Sequence, residues 1–381
     1  MKIVIDAQPI VEVRSGIGRY TYNLIKALAL QDSNNQYLPF FFNFRQKDFG
    51  QQEFLAYSPI QTKEIRYLPG VLMHRLWRYC SWFPLDSFTG KADIFHYPNY
   101  LVKPACSGKK IITVCDMSFR RFPETLMPKN LANLRKNFEK SLEIVDAVIT
   151  ISEFSKSELL NYYPDFKKPV FISKMGVDDF FEEDHSEKEI EDIRLKYNLP
   201  QNYILHVGTI EPRKNLSFLL KAFSKLQNDY PDLKFVLVGA KGWLTKEFDK
   251  TLSRLALEEK VCFPGFVLDK DLPMIYKGAK LFVFPSRYEG FGIPPLEAMG
   301  CGVPVLASNI PVMQEVLEDA AVLFDLDISE EELALKIKEI LSDNNLRENL
   351  IRKGKEQAAK FTWKECAEST LKAYNSVVER K

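Results

Sequence analysis

Residues 285–300 carry the pattern most suited to chemistry, with the sequence PSRYEGFGIPPLEAMG. A predicted buried strand runs into a glycine-rich loop that enters a short helix at two prolines, a position where proline is tolerated. Glu289 lies in the loop and Glu297 in the first turn, and neither belongs to a solvent-facing stripe. Carboxylates placed in this way can accept hydrogen bonds from the hydroxyl groups of a sugar. Because prolines lack N–H groups, the free backbone donors near the helix start are those of Phe291, Gly292, Ile293 and Leu296.

A pair of cations follows another predicted strand, Tyr203–Val207, in the sequence Glu211-Pro212-Arg213-Lys214-Asn215. The carboxyl ends of parallel strands are where open α/β sheets bind ligands. Arg213 and Lys214 would suit a diphosphate leaving group, since positive charge gains value as the bond to that group breaks. The alternative is a solvated helix cap, with Asn215 as the capping residue.

A third candidate is the short glycine loop Arg14-Ser15-Gly16-Ile17-Gly18, between the first strand and the next helix. Gly16 and Gly18 allow close backbone approach to a ligand, and the helix N-terminus offers N–H groups to an anion. Position 21 is threonine, where a dinucleotide-binding fingerprint needs glycine. The loop could therefore bind phosphate, or it could be a turn in which glycine serves only the backbone shape.

Short apolar runs alternate with helical patterns along the whole chain, which predicts a parallel α/β architecture. Two series of runs suggest two doubly wound domains, at 1–180 and 181–362, with the boundary near Gly176–Asp184 and a charged surface segment, Glu182–Arg194, after it. A final helix over 363–381 has one apolar face that needs a partner. The predicted strands are Ile3–Ile5, Tyr37–Phe44, Ile94–Tyr97, Ile111–Val114, Ala147–Ile151, Val170–Ser173, Tyr203–Val207, Phe235–Val238, Val261–Phe263, Leu281–Phe284, Val303–Ala307 and Ala321–Phe324.

Composition excludes several classes of protein. The 381 residues are 46% apolar and 27% charged with a net charge of +1, which argues against a disordered chain and against a dedicated nucleic-acid binder. Residues 1–178 hold 24 basic and 17 acidic residues, so the first half has a basic surface that suits an anionic partner. Scattered cysteines without a CxxC pair, and an N-terminus unlike a signal peptide, predict a cytoplasmic protein with reduced thiols.

Two further segments have an ordinary reading beside a functional one. Val71–Pro84 combines aromatic and basic residues, as in a helix that lies in a lipid interface, but a core helix with an amphipathic rim has the same pattern. Asp269-Lys270-Asp271 imitates a metal-binding motif, yet it also suits a helix start without metal. The four histidines, at positions 74, 96, 185 and 206, lack the spacing of metal ligands.

Taken together, these motifs resemble those of family 4 glycosyltransferases of the GT-B fold. The E-x7-E string from Glu289 to Glu297, with EAM-G-CGVPV after it, is similar to the family's signature. SGIGRY resembles the N-terminal glycine loop, and HVGTIEPRKNL resembles the phosphate-binding segment. YPNYL and TVCDMSFRRFPE are similar to the mannosyltransferase branch that acts in O-antigen and surface polysaccharide assembly. The resemblance implies two Rossmann-like domains, with the C-terminal helix crossing back to the N-terminal one.

The resemblance also implies roles for individual residues. Gly16, with Gly18 in the same loop, would offer backbone N–H groups to the donor diphosphate, and Arg213 and Lys214 would neutralise it. Glu289 would hold the donor sugar beside the amides of Phe291, Gly292 and Ile293, and Glu297 would bind the nucleotide ribose. Family members retain the anomeric configuration and generally need no metal.

One departure from the family concerns Cys115, which stands where the branch usually has histidine in the sequence HDL or HDM. A thiol cannot reproduce the hydrogen bonding of an imidazole. Either the neighbouring Asp116 does more of the catalytic work, or the activity is altered.

The resulting hypothesis is a metal-independent hexosyltransferase that transfers mannose from GDP-mannose to a lipid-linked or saccharide acceptor, bound at the basic N-terminal domain. It would be cytoplasmic, with possible peripheral contact to the inner face of the membrane and no nucleic-acid partner. A UDP- or dTDP-sugar donor is the nearest alternative, followed by a sugar-nucleotide epimerase on the same fold. A nicotinamide dehydrogenase and a catalytically silent binding subunit are the remaining rivals.

Overall fold

A computed structural model describes residues 1–11, 16–46, 60–77 and 83–379 of the chain, with the side chain of His74 excepted. The chain divides into two compact units. The first contains Met1–Arg120, Pro128–Gly176 and Trp363–Lys381, and the second contains Arg121–Met127 and Val177–Thr362. The second unit thus includes a short segment that the sequence prediction placed in the first domain.

The segment Arg121–Met127 belongs to the second unit because of specific contacts. The ring centroid of Phe122 lies 5.5 Å from that of Tyr288. The indole N–H of Trp243 donates to the backbone carbonyl of Thr125 at 2.6 Å.

The first unit is built on a seven-stranded parallel sheet in the order β3-β2-β1-β4-β5-β6-β7. Since β1 lies between β2 and β4, the strand order reverses beside β1. In the β1–β4 pair, Ile3 is opposite Ile94. The strands are β1 Lys2–Asp6, β2 Gln36–Phe42, β3 Lys63–Ile65, β4 Ile94–Tyr97, β5 Lys109–Val114, β6 Ala147–Thr150 and β7 Val170–Ile172.

The last helix, Trp363–Glu379, belongs to the first unit and packs against the helix Gly16–Gln31. The rings of Tyr20 and Trp363 are 6.3 Å apart, and the Ser173 hydroxyl donates to the backbone carbonyl of Cys366 at 2.9 Å. The predicted return of the C-terminal helix is therefore confirmed. The other helices of this unit are Gln8–Val11, Gly70–Leu76, Asp86–Thr89, Ser118–Arg121 (whose last residue falls in the second unit), Pro128–Ile144 and Glu153–Tyr162.

The second unit is built on a six-stranded parallel sheet in the order β10-β9-β8-β11-β12-β13. Its strands are β8 Tyr203–Val207, β9 Lys234–Val238, β10 Val261–Cys262, β11 Leu281–Phe284, β12 Val305–Ser308 and β13 Val322–Phe324. Its helices are Glu187–Lys196, Leu216–Ser224, Lys246–Arg254, Leu272–Lys277, Ile293–Gly300, Pro311–Leu317, Glu330–Ser342 and Asn344–Ala358, with single 3₁₀ turns at Pro123–Thr125, Asp179–Phe181, Pro212–Lys214 and Asp269–Asp271.

Continuous apolar sequence forms the strands because most of them are covered on both faces. Every residue of β11 is buried, and β8 is buried except at Val207, which is half-buried. The helix Leu216–Ser224 covers this sheet with Leu216, Leu219, Leu220 and Phe223, which belong to one core with the strands. All twelve predicted strands are present, and their ends shift by at most two residues.

Two local predictions need correction. Asn215 occupies the position before the helix Leu216–Ser224, but its side chain makes no capping hydrogen bond. Its backbone is left-handed, with φ of 55°, so it acts through its conformation and not as a side-chain cap. The apolar stripe from Leu216 to Leu226 also predicts a helix over Asn215–Gln227, but the helix ends earlier, at Ser224.

The segment after the domain boundary forms the helix Glu187–Lys196, which has no buried residue and begins with a capping box at Ser186 and Glu189. Among the described helices, none combines the length and apolar character of a membrane-spanning segment.

Candidate active site

The two strands that carry the candidate site, β8 and β11, are neighbours in the second sheet. The chain leaves β8 toward β9 on one side, while β11 lies on the other side, so this is where the strand order reverses. A reversal opens a crevice at the carboxyl ends of the two strands, and open α/β sheets bind ligands there. Arg213 and Lys214 follow β8, and Glu289 follows β11, so the fold brings together residues 75 positions apart.

Four charged side chains form a buried cluster at this crevice. Nζ of Lys214 donates to Oε1 of Glu289 at 2.7 Å, and Nη1 of Arg213 donates to Oε2 of the same carboxylate at 2.6 Å. Nη2 of Arg213 donates to Oε1 of Glu211, also at 2.6 Å. The guanidinium further contacts the backbone carbonyl of Tyr288, which ties the two loops together. Glu211, Lys214 and Glu289 are each less than 9% exposed, so these ion pairs are shielded from solvent screening.

The cluster shifts the acid–base behaviour of its members. Burial disfavours the charged form of Glu289, but the charges of Arg213 and Lys214 outweigh this and lower its pKa to about 2. Burial also lowers the pKa of Lys214, against the opposing effect of Glu289. Glu289 is consequently a carboxylate at neutral pH, and it is an acceptor for hydrogen bonds.

The glycine-rich loop has the backbone geometry that its sequence predicts. Gly292 precedes the helix Ile293–Gly300 with φ of 114°, a conformation that favours glycine. A methyl group on Gly292 would lie 2.4 Å from Cε of Met313, so the loop packs tightly on the neighbouring helix. The side chain of Phe291 is buried against Phe361 at a centroid distance of 5.6 Å. Phe291 can therefore offer a ligand only its backbone.

Glu297 lies in the first turns of this helix, and its side chain is wholly buried. Its Oε2 accepts a hydrogen bond from the hydroxyl of Tyr276 at 2.9 Å. The carboxylate is thus within the same unit as Glu289 but beneath the surface.

Gly16, Gly18 and Asp116 belong to the first unit. Gly16 begins the helix Gly16–Gln31 and is exposed, and a methyl group added there would meet nothing within 4 Å. Packing against the described residues therefore gives no reason for glycine at this position. Gly18, two residues further along the same helix, is buried. Arg14 and Ser15, which belong to the same sequence motif, lie outside the described residues.

Asp116 follows β5 and is half-buried. Its Oδ1 accepts hydrogen bonds from the Tyr100 hydroxyl and from the backbone N–H of Ser118, both at 2.9 Å. Burial raises the pKa of the neighbouring Cys115 thiol well above its ordinary value, with Asp116 adding to the effect. Cys115 is therefore a neutral thiol, and it cannot act as a thiolate base or nucleophile.

The carboxyl end of β1 carries a buried ion pair that the sequence analysis did not single out. Nζ of Lys103 lies 2.5 Å from Oδ1 of Asp6, and both side chains are less than 10% exposed. The pair stands beside the strand-order reversal of the first sheet, where a ligand crevice is expected. In the sequence, the charged Asp6 directly after the apolar run Ile3–Ile5 could have indicated this site.

Other candidates have structural partners. Oδ2 of Asp271 accepts hydrogen bonds from Lys196 at 2.5 Å and from the Tyr197 hydroxyl at 2.7 Å. In the part of the chain that the structure describes, no cluster of three or more His, Cys, Asp or Glu side chains is arranged to hold a metal ion.

The aromatic and basic segment Val71–Pro84 is only partly described, since residues 78–82 lie outside the described ranges. The helix Gly70–Leu76 exposes Val71, Leu72 and Leu76 to solvent. Phe83 is also exposed, at 57%.

Two parallel α/β domains with a charged crevice at a strand-order reversal define a doubly wound α/β protein with a candidate ligand site, and comparisons with known proteins identify its family. Residues 187–357 match the family described as "Glycosyl transferases group 1". The chain is 31% identical to O-antigen chain mannosyltransferase B of Escherichia coli over 394 aligned residues. The alignment covers 98% of this chain and 99% of that protein. Serotype-specific mannosyltransferase WbdA of Escherichia coli is 32% identical over 66% of this chain and 31% of its own length.

Among solved structures, sucrose-phosphate synthase of Thermosynechococcus elongatus aligns over 100% of both chains with a TM-score of 0.76 and 19% identity. The fold is GT-B, as the sequence predicts. This chain belongs to the group 1 glycosyltransferase family.

Proposed function

We propose that the protein is a retaining hexosyltransferase that transfers mannose from GDP-mannose to a lipid-linked or saccharide acceptor in surface polysaccharide synthesis. The observation that carries this proposal is the buried cluster of Glu211, Arg213, Lys214 and Glu289 at the carboxyl ends of β8 and β11. Similarity along the whole chain to an O-antigen chain mannosyltransferase supports mannose as the sugar.

In the proposed reaction the bond between the sugar C1 and the diphosphate oxygen breaks, and the electron pair goes to that oxygen. An acceptor hydroxyl attacks C1 from the same face, and its proton passes to the departing diphosphate. Arg213 and Lys214 stabilise the negative charge that grows on the diphosphate. Because these two side chains would neutralise the diphosphate, we propose that the reaction needs no metal ion.

Glu289 is proposed to hold the donor sugar. Both of its oxygens already accept a hydrogen bond from a cation. A carboxylate has about four lone-pair sites, so sugar hydroxyls can donate to Glu289 while Arg213 and Lys214 remain in place. The cations would then orient the carboxylate, and the carboxylate would orient the sugar.

The remaining roles are proposed from the resemblance together with the local geometry. The backbone N–H groups of Phe291, Gly292 and Ile293 would lie near the donor, and Glu297 would bind the ribose. In the first unit, the N-terminus of the helix Gly16–Gln31 suits a phosphate, because no described atom would meet a methyl group on Gly16, and Gly18 follows two residues later. Asp116 would hold the acceptor hydroxyl by accepting a hydrogen bond from it, because the thiol of Cys115 cannot reproduce the hydrogen bonding of an imidazole.

Peripheral membrane contact on the cytoplasmic side is a second part of the proposal. Its support is the exposed apolar side chains of Val71 and Leu72 with the exposed Arg75 on the same helix. We expect the protein to sediment with phosphatidylglycerol vesicles, and Val71→Glu with Leu72→Glu to abolish this. Leu195→Glu, at an equally exposed position of the second unit, is the control. Equal sedimentation of both variants would contradict the membrane contact.

A panel of nucleotide sugars tests the function. The protein is incubated with GDP-, UDP- and dTDP-sugars in the presence of EDTA, and melting temperature and release of nucleoside diphosphate are measured. Binding to the folded state raises the melting temperature in step with RT ln(1 + [L]/Kd). We expect GDP-mannose to give both the largest shift and slow release of GDP.

Other outcomes of the panel point to specific rivals. A response only to UDP- or dTDP-sugars would replace the proposed donor. Conversion of the donor without an acceptor would favour an epimerase. Binding without release, even with lipid-linked acceptor extracts, would favour a silent binding subunit and overturn the proposed transfer.

A further inference from the structure

His206 is a buried polar residue beneath the charged cluster, on β8, and the proposed mechanism does not use it. Its side chain is 0% exposed. Nδ1 lies 3.0 Å from the backbone carbonyl of Val283. Since a carbonyl only accepts, Nδ1 carries the proton, and Nε2 of the neutral ring presents a lone pair.

Nε2 of His206 has no hydrogen-bond partner among the described residues. Buried polar atoms are rarely left in this state, and such an atom calls for an explanation. The ring itself is well packed, because it lies nearly parallel to the rings of Phe282 and Phe284 at centroid distances of 6.2 and 5.6 Å. The packing therefore fixes the direction in which the lone pair points.

Nε2 of His206 and the end of the Lys214 side chain both lie close to Gly208. A methyl group on Gly208 would lie 3.2 Å from Nε2 of His206, and 3.6 and 3.9 Å from Cε and Nζ of Lys214. Because glycine has no Cβ, Gly208 leaves the space near both groups unfilled. Nζ of Lys214 also lies 4.9 Å from the ring centroid of Phe284, which is stacked on His206.

Burial favours the neutral form of the imidazole. Burial lowers the pKa of His206 to about 4, against the opposing hydrogen bond to Val283. The charged groups that act on the ring are Lys214, which lowers the pKa further, and Glu289, which raises it. A neutral ring at physiological pH leaves the lone pair of Nε2 available to a nearby cation.

We infer that His206 is a positioning residue for Lys214, and that the lone pair of Nε2 restrains the ammonium at the place where the diphosphate leaves. The inference rests on the proposed function. Among the described residues, the carboxylate to which Lys214 donates a hydrogen bond is Glu289, and that carboxylate must also receive the sugar. A second attractive group keeps the lysine in place while Glu289 accepts hydroxyl groups.

Two substitutions separate the nitrogen atoms of His206. His206→Asn retains an N–H near the position of Nδ1, for the bond to Val283, and removes the atom at Nε2. His206→Gln places an amide oxygen near the position of Nε2. We expect His206→Asn to lower kcat about tenfold with the donor KM within about threefold, and His206→Gln to retain most of the rate, as for a lost interaction with a charged group.

Coupling to Lys214 distinguishes positioning from mere packing. Loss of a positioning residue has no further effect once its target is gone, so His206→Asn should not lower the residual rate of Lys214→Met. An undiminished effect in that background, or equal losses for His206→Asn and His206→Gln, would overturn the inference.

A measurement without substrate tests the role of His206 independently of the proposed function. Urea unfolding of the two single variants, the double variant and the wild-type chain gives four equilibrium constants. We expect the double variant to depart about fivefold from the product of the single effects, as for residues that interact. Strictly multiplicative effects would overturn the inference whether or not any donor is turned over, whereas coupling without turnover would count only against the proposed function.

Discussion

Nζ of Lys214 and Oε1 of Glu289 are 2.7 Å apart at the carboxyl ends of two adjacent strands, and both residues are buried. Glu289 is shared between two cations, since Arg213 binds its other carboxylate oxygen. Removing one partner of a buried ion pair leaves an uncompensated charge, and this costs more than the pair itself contributes. The pair therefore links the stability of the second unit to its proposed chemistry.

We predict unequal effects for the two sides of this pair. Glu289→Gln leaves two cations with only Glu211 and should destabilise the protein by about 3–5 kcal/mol. Lys214→Met leaves Glu289 paired with Arg213 and should cost less. Glu289→Ala and Lys214→Ala should each lower turnover by about 10²-fold or more, as for loss of a charge-stabilising group.

Urea unfolding and nucleoside diphosphate release, at a temperature where all variants are folded, measure these effects. Arg352→Ala is the matched control, because its pair with Glu356 is about 60% exposed on both sides and should contribute at most about 1 kcal/mol. Near-normal turnover of both alanine variants would remove Glu289 and Lys214 from the proposed site.

Sequence patterns predicted the strands well because their signal is local. The strands β4, β8 and β11 lie at their predicted limits, since each is a mainly apolar run between a polar residue and a proline or glycine. The missed strand β3, Lys63–Ile65, is a three-residue strand at the edge of the sheet with one buried residue. An edge strand with charged side chains has no apolar run to reveal it.

The candidate site was predictable in its residues but not in its contacts. Arg213, Lys214 and Glu289 are recognisable from the loops that carry them. Their pairing depends on β8 being the neighbour of β11, and strand order is a property of the whole sheet that no local pattern contains. The same applies to His206, which is defined by Phe282, Phe284 and Gly208 after the sheet forms.

Gly292→Ala is predicted to disturb the loop in two ways. The φ of 114° is strained for alanine, and the new methyl group would lie 2.4 Å from Cε of Met313. We expect a loss of a few kcal/mol in the free energy of unfolding, together with reduced donor binding. Gly265→Ala is the control, because its φ of 76° is also positive but no atom lies within 4 Å of the added methyl.

Calorimetric melting and titration with GDP-mannose distinguish the two effects at Gly292. Met313→Ala in the Gly292→Ala background removes the steric part and leaves the backbone strain. Recovery of part of the lost stability is expected. If Gly292→Ala and Gly265→Ala cost the same, contact with Met313 has no energetic importance.

The buried neutral His206 predicts a loss of stability in acid. Its pKa is about 4 in the folded protein because of burial, compared with about 6.5 for histidine in an unfolded chain. Between these values the unfolded state binds more protons, so the free energy of unfolding falls as the pH falls, by at most about 1.4 kcal/mol per pH unit. His206→Gln should remove this contribution.

The measurement is the difference in unfolding free energy between the wild-type chain and His206→Gln from pH 8 to pH 4. His96, whose pKa is lowered to about 3 by burial, is present in both proteins and cancels. The difference should be constant above about pH 7 and change steadily below about 6.5. A constant difference over the whole range would show that His206 titrates normally in the folded protein.

Tyr374→Phe is predicted to weaken the attachment of the C-terminal helix within the first unit. The Tyr374 hydroxyl lies 2.7 Å from Nδ1 of His96, whose Nε2 lies 2.8 Å from the hydroxyl of Thr113. All three side chains are wholly buried, and a neutral imidazole donates through one nitrogen and accepts through the other. Removing the hydroxyl leaves Nδ1 unsatisfied, which should cost about 1–3 kcal/mol.

Asn375→Ala, at the adjacent exposed position of the same helix, is the control for Tyr374→Phe and should change stability by less than about 0.5 kcal/mol. Hydrogen exchange of the helix Trp363–Glu379 is the direct measurement, because opening of this helix exposes its amides. Faster exchange along the helix in Tyr374→Phe, with the kinetic constants for donor turnover unchanged, is the expected result. Exchange as slow as in Asn375→Ala would show that apolar packing against the helix Gly16–Gln31 holds the C-terminal helix without help from the buried hydrogen bonds.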